Sequence, residues 1–256
     1  MIGPRLRERD RDAVELMDAP DCDPAALART YARFRLVNAV VAGWGVTYRR
    51  HVRPLLPRER PATVLDVGCG GGDLARALAR WARRDGLALE VTGVDPDPRA
   101  HAWAVSRPPV DGVRFERALS ADLVAQGRRF DVVVSNHLLH HLDDGQLRAL
   151  LDDSRALARR RALHSDIARS RWAYLLFSAG ALPLAPGSLI RADGLTSIRR
   201  SWRPAELRAH VPPGWRVERP WPGRNLLVHD PPAHDPPVHD LRDGARADSR
   251  DDGAAP

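Results

Sequence analysis

The stretch Val64-Leu65-Asp66-Val67-Gly68-Cys69-Gly70-Gly71-Gly72 constrains this chain more than any other. An apolar run holding an acid and then breaking into glycines at alternate positions reads as a buried parallel strand that turns sharply. The glycines let backbone N–H groups come close to a ligand. Val91-Thr92-Gly93-Val94-Asp95 follows as a second apolar run closed by an acid. A carboxylate at the end of that second strand is placed to accept hydrogen bonds from ribose hydroxyls, as in doubly wound nucleotide-binding sheets. The two runs together predict a parallel α/β sheet with a nucleoside ligand at its carboxyl edge.

The details of the loop narrow the nucleoside. Dinucleotide loops run G-x-G-x-x-G, with the helix N-terminus aimed at a pyrophosphate. Here Gly68, Gly70 and Gly72 alternate and Asp66 stands two residues before the first of them. This resembles the first motif of class I S-adenosylmethionine-dependent methyltransferases, whose ligand has no phosphate and carries an ammonium and a sulfonium. Further features follow in order: Asp95, then Phe115 to Leu123, then Phe130-Asp131-Val132-Val133-Val134-Ser135-Asn136-His137-Leu138-Leu139-His140-His141-Leu142. The last looks like the fourth-strand motif of the small-molecule, ubiquinone/menaquinone-methyltransferase-like branch. The resemblance spans about Thr63 to Asp230.

The resemblance implies a doubly wound, mostly parallel seven-stranded Rossmann-like sheet with an N-terminal helical cap, and S-adenosylmethionine as cofactor. It assigns Asp66, Gly68, Gly70, Gly72, Asp95, Pro96, Ser135 and Asn136 to the cofactor. One departure stands out. Relatives often carry an acid followed by a small residue after the third strand, where this chain has Ala118-Leu119-Ser120-Ala121-Asp122. Leu119 is assigned to the adenine, with Ser120 or Asp122 for the polar contact.

Chain organisation follows from composition and punctuation. At 256 residues the chain can bury one full core with appendages. We expect a helical cap over 1–60, the methyltransferase domain over 61–230 with a substrate-cap insertion at 168–202, and a disordered tail over 231–256. The tail repeats His-Asp-Pro-Pro at a period of five, and a proline-rich end has no scaffold to hold a metal. Asp23-Pro24 is a helix start, and Leu27, Tyr31, Phe34, Asn38 and Val41 recur at helical spacing after it. Asp143 with Gln146 reads as a capping box, the fifth strand as Arg161 to Ile167, and two closing strands lie near Trp215 to Glu218 and Asn225 to His229.

Trp172 to Ile190 holds no charge, yet Gly180, Pro183, Pro186 and Gly187 would break a spanning helix. A buried or amphipathic helix ending near Leu182, followed by a loop, fits better. It leaves only transient contact with a membrane surface open. Two cysteines, Cys22 and Cys69, with Cys69 inside the loop, argue against a disulfide framework. That and the charged N-terminus point to the cytosol. All 40 basic residues are arginine and the net charge is +7, which reads as a solvated surface rather than a nucleic-acid footprint.

Methyl transfer needs acceptor, methyl carbon and sulfur held in line in a dry pocket. His140 and His141 are the candidate general bases for an acidic hydroxyl, against the reading that they brace the turn after the strand. Tyr31, Asn38, His137 and Phe177 are candidate acceptor contacts, against plain core packing. His137 and His141 have helical spacing, but no Glu adjoins them as base and the sequence offers no third ligand, so no metal is expected. The expected reaction is methyl transfer to an apolar small molecule, at oxygen of a phenolic, quinone-like or polyketide acceptor. The rivals are an RNA methyltransferase, weakened by 5% aromatic content, and a non-catalytic cofactor-binding module. The oligomeric state is not encoded.

Overall fold

In the computed structural model residues 6–40, 42–220 and 223–232 are described, except for the side chains at 35, 36 and 38–40. Val41 and the repeat beyond Pro232 therefore lie outside them. Seven strands form one sheet: β1 Ala62–Val67, β2 Leu89–Val94, β3 Val113–Glu116, β4 Phe130–Asn136, β5 Ala158–Ile167, β6 Trp215–Glu218 and β7 Arg224–His229. Their order is β3-β2-β1-β4-β5-β7-β6. Only β7 runs against its neighbours. The order reverses between β1 and β4, whose parallel pairing sets Val64 beside Val132 and Asp66 beside Val134. Open α/β sheets bind ligands in the crevice at such a switch point.

Successive strand residues face opposite layers. Val64, Val132 and Val134 pack with Leu74, Leu78 and Ala82 of α3 (Asp73–Arg84) and with Trp44 of α2 (Trp44–Thr47). Leu65 and Val133 pack with Leu123 of α5 (Ser120–Ala125), Leu147 and Leu151 of α6 (Asp144–Leu157) and Leu207 of α9 (Pro204–His210). The near-continuous apolar strands are thus buried on both faces, as a parallel sheet requires.

The start signals behave as their chemistry dictates. Asp23 accepts from the N–H groups of Ala25 and Ala26 at 3.0 and 3.2 Å and opens α1 (Pro24–Val40). The Asp143 side chain accepts from Gln146 N while Gln146 returns the bond to Asp143 N. At Asp97, with Pro98 next, the side chain caps α4 (Pro98–Ser106).

Two expectations need correction. The fifth strand begins at Ala158, because Arg159 and Arg160 extend it with exposed side chains that carry no apolar signal. The uncharged run gives α7 (Arg171–Gly180) and a single turn at Leu182–Leu184, and the chain then forms a further helix, α8 (Ile190–Arg200), where no helix was expected. Asp193, Gly194, Thr196 and Ser197 hide the helical periodicity of α8, since its inward face is partly polar. α7 is apolar on both sides: Trp172, Leu175 and Leu176 are exposed while Phe177 turns inward. Among the described residues no helix is long and apolar enough to cross a membrane.

Candidate active site

The loop after β1 is shaped by its glycines. Gly72 caps α3 at φ +78°, and a Cβ there would sit 2.3 Å from the Phe115 ring, so both backbone and space demand glycine. Gly70 N–H donates to Asp95 Oδ2 at 2.8 Å, and Cys69 N–H to the Val94 carbonyl at 3.0 Å. The other Asp95 oxygen accepts from Asp97 N–H at 2.9 Å. Asp95 is thus first a brace that joins the two strand ends. Burial pushes its carboxyl above the usual range, against these two bonds.

A cavity of about 330 Å³ opens above this edge, within the range of small-molecule sites. Asp66, Gly68, Gly70, Asp95, Pro96 and Asn136 line it, as do Tyr31, His137, His140, His141 and Phe177. Asp66 is 1% exposed, its Oδ2 has no hydrogen-bond partner, and burial raises its carboxyl to about 8. A carboxyl so poorly served fits an approaching cation. A Cβ on Gly70 would meet nothing within 4 Å, so space for a ligand borders the loop there.

Several proposed contacts fall elsewhere. Leu119 is 55% exposed at the start of α5 and does not line the cavity. Its companions are engaged elsewhere: the Ser120 hydroxyl donates to Asp153 at 2.6 Å, and Asp122 accepts from Leu119 N–H. Ser135 lies beneath the floor, fully buried, with its hydroxyl 2.8 Å from His164 Nδ1. Gly72 supports the loop from behind rather than lining the cavity. Asn38 lies in α1, and its side chain is outside the described residues. Tyr31 is 5% exposed and stacks on Trp103 with ring centres 5.7 Å apart, so it serves packing as well as the cavity wall. Phe177 fits against Gly194, where a Cβ would come within 2.2 Å of its ring.

The fold adds residues that the sequence did not mark. The segment before α1 lies across α8: Asp193 accepts from the N–H groups of Leu16 and Met17 at 2.7 and 3.1 Å. Arg9 donates to the carbonyls of His140, Leu142 and Arg200 and stacks over Trp202. This strap carries Glu15, Met17 and Asp18 into the cavity wall. Glu15 Oε1 lies 3.2 Å from His140 Nε2, whose Nδ1 is 2.8 Å from Asp166 Oδ1. Glu15, His140 and His141 each bring one ligand atom within 4.8 Å of the others, so Glu15 is the third potential cation ligand that the sequence did not offer.

This arrangement corrects the assignment of His140 as base. Burial disfavours its charge, but Asp166 and Glu15 outweigh that and raise the imidazole to about 10. Burial likewise opposes the Glu15 charge, yet His140 and His141 bring it down to about 2. His140 therefore already holds its proton at neutral pH and cannot take another. His141 is better placed, with its side chain 29% exposed, Nδ1 3.3 Å from Asp18 and Nε2 3.8 Å from Glu15. His137 is the one non-glycine with positive φ among the described residues, at 55°, held there as its N–H donates to the Ser165 carbonyl. Its Nδ1 is 3.6 Å from Asp166.

Comparison with known proteins fits this geometry. A family model described as a methyltransferase domain matches residues 45–211. The chain belongs to the methyltransferase-domain family. Curated relatives include a ubiquinone biosynthesis O-methyltransferase of Methylobacterium sp. (strain 4-46), 33% identical over 150 residues, and one of Methylobacterium nodulans, 36% identical over 155 residues. Each match covers 56% of this chain and 56% of the relative, so the chain aligns with little more than half of their length. Among solved structures, the plantazolicin methyltransferase BpumL with SAH and a monoazolic desmethylPZN analog superposes with a TM-score of 0.51 at 12% identity, covering 79% of this chain and 85% of that one. A second BpumL complex with SAH gives 0.50 over 81% and 96%. These superpositions show the shared fold.

Proposed function

We propose that this methyltransferase-domain chain transfers the methyl group of S-adenosylmethionine to an apolar small molecule, at the oxygen of a phenolic, quinone-like or polyketide acceptor. One observation carries the reading: a single cavity is lined both by the glycine loop and Asp95 and by the apolar side chains Phe34, Val37, Phe177 and Ile190, with His141 on its wall. The O-methyltransferase names of the Methylobacterium relatives and the SAH in BpumL support it. When bound, S-adenosylmethionine supplies an electrophilic methyl on a sulfonium.

The chain's own residues do the rest. Asp66 and the loop hold the charged amino-acid end, and Asp95 offers its carboxylate to ribose hydroxyls. His141, with Asp18 beside Nδ1, takes the acceptor's hydroxyl proton on Nε2, while the apolar wall excludes water and aligns the oxygen. His140, held as an imidazolium between Glu15 and Asp166, positions its neighbours. Residues 168–202 act as the substrate cap with 1–60 over the 61–230 domain. The free cysteines accord with a reducing, cytosolic compartment.

The test is calorimetry with S-adenosylmethionine, SAH and NAD, followed by SAH release assayed over phenols of increasing alkyl length. Binding of the first two without NAD, and rates that rise with apolar carbon, support the proposal. NAD binding, or turnover only with RNA, contradicts it.

A further inference from the structure

A second pocket, of about 200 Å³, lies at the far end of the sheet where β6 and β7 meet the turn that follows α2. Its wall includes Arg50, His51, Glu218, Arg219 and Arg224. Arg224 is only 2% exposed. Its Nη1 donates to the Ala42 carbonyl and lies 3.5 and 3.4 Å from the hydroxyls of Thr47 and Ser165, all uncharged. Its Nε is buried with no hydrogen-bond partner. No carboxylate pairs with it among the described residues.

Burying a guanidinium without a counter-charge is costly, so its retention needs a reason. A role as a strut between β7 and the end of α1 accounts for Nη1. It does not account for the orphaned Nε, and two further arginines line the same pocket. Arg50 and Arg219 are exposed and have no ion-pair partner among the described residues. The one acid on the wall, Glu218, is engaged by Arg216 at 3.1 Å and lies 3.6 Å from His51. Three arginines thus face a small concavity whose only carboxylate is already satisfied.

We infer that this pocket binds a phosphate-type oxyanion, inorganic phosphate or the phosphate of a monoester, between Arg50, Arg219 and Arg224. Guanidinium groups match tetrahedral oxyanions through paired, charge-assisted hydrogen bonds. The site is separate from the methyl-transfer cavity, although Arg224 stands opposite Ile167 in the β5–β7 ladder and Ile167 lines that cavity.

The experiment titrates inorganic phosphate, and in a second arm phenyl phosphate, into the full chain saturated with SAH, against chloride at matched ionic strength. We expect saturable one-to-one binding that persists with SAH present. Arg50→Ala and Arg219→Ala should each weaken it about tenfold, as expected for loss of one charge-assisted contact. Arg80→Ala, an exposed arginine on α3, should leave it unchanged. Arg224 stays intact because its bond to Ala42 supports the fold. Preference for one arm identifies the source of the phosphate. Binding no stronger than chloride, displacement by SAH, or indifference to both arginine substitutions would overturn the inference.

Discussion

The two sides of the main cavity are built on different plans. The proposed cofactor side is local: one loop, the strand before it, and the acid at the tip of the adjacent strand, tied by the Gly70–Asp95 and Cys69–Val94 hydrogen bonds. The proposed acceptor side is assembled from distant parts. Glu15 and Asp18 come from the strap, His137, His140 and His141 from the exit of β4, Asp166 from β5, and Asp193 and Ser197 from α8. The first side is stabilised by backbone geometry with little tolerance for change. The second depends on carboxylates, among them the buried Glu15–His140 pair, that couple segments more than 100 residues apart in sequence. The contrast predicts that substitutions at the cofactor side act on folding and cofactor affinity together, while those at the acceptor side separate acceptor use from cofactor binding.

The largest effect should come from Gly72→Ala. Left-handed backbone costs about 1–2 kcal/mol and the clash with Phe115 about 1–3 kcal/mol more. Thermal unfolding should show a Tm lower by several degrees, with weakened S-adenosylmethionine binding. An unchanged Tm would mean that the loop is softer than its contacts imply.

Next comes Asp95→Ala, which removes a charged acceptor from both the loop and the proposed ribose contact. Cofactor affinity should fall by about 1.5–3 kcal/mol by calorimetry. Unchanged affinity would limit Asp95 to bracing.

Glu15→Gln acts on the other side of the cavity. It should lower kcat/KM for the acceptor while cofactor Kd stays within about twofold. It should also shift stability against pH. In the wild type, the raised His140 contributes stability that is complete below about 6.5 and lost as pH rises through about 10; the lowered Glu15 contributes stability that is complete above about 4.5 and lost as pH falls through about 2. Between those limits the pair is fully charged. Without the Glu15 charge His140 releases its proton lower, so the alkaline loss of Tm should be smaller and end at a lower pH than in the wild type. Matching Tm–pH curves would show that the ion pair does not carry the strap.

The smallest effect belongs to Leu119→Ala. Because Leu119 is exposed and outside the cavity, cofactor affinity should change by no more than about 0.5 kcal/mol. A larger loss would restore it as an adenine contact.

The same contrast explains what could be read from residues alone. The glycine loop, Asp95 and the α6 cap are short-range patterns, in which neighbouring residues determine the geometry. Glu15 gave no signal, since it sits in a polar, charge-mixed stretch before α1 and is buried only because Asp193 and Arg9 hold the strap down. Asp166 could have been found by the logic that found Asp95, being an acid at the carboxyl end of a buried strand. His140 lines the cavity, as its position after β4 suggested, but its imidazolium state was not legible, because its proton is held by two carboxylates that only the tertiary fold brings together. Ser135 followed the strand motif correctly but faces the layer beneath, where it meets His164.

Methyl transfer to oxygen of an apolar acceptor in this cavity can be followed with an isotopic label. The most direct measurement incubates the chain with S-adenosylmethionine carrying a deuterated methyl group and a series of alkylated phenols, with RNA in parallel, and locates the label by mass spectrometry and NMR. One labelled methyl should appear on the phenolic oxygen, with kcat/KM rising as alkyl carbon is added. Transfer to RNA, or no transfer to any apolar acceptor by protein that binds the cofactor, would contradict it.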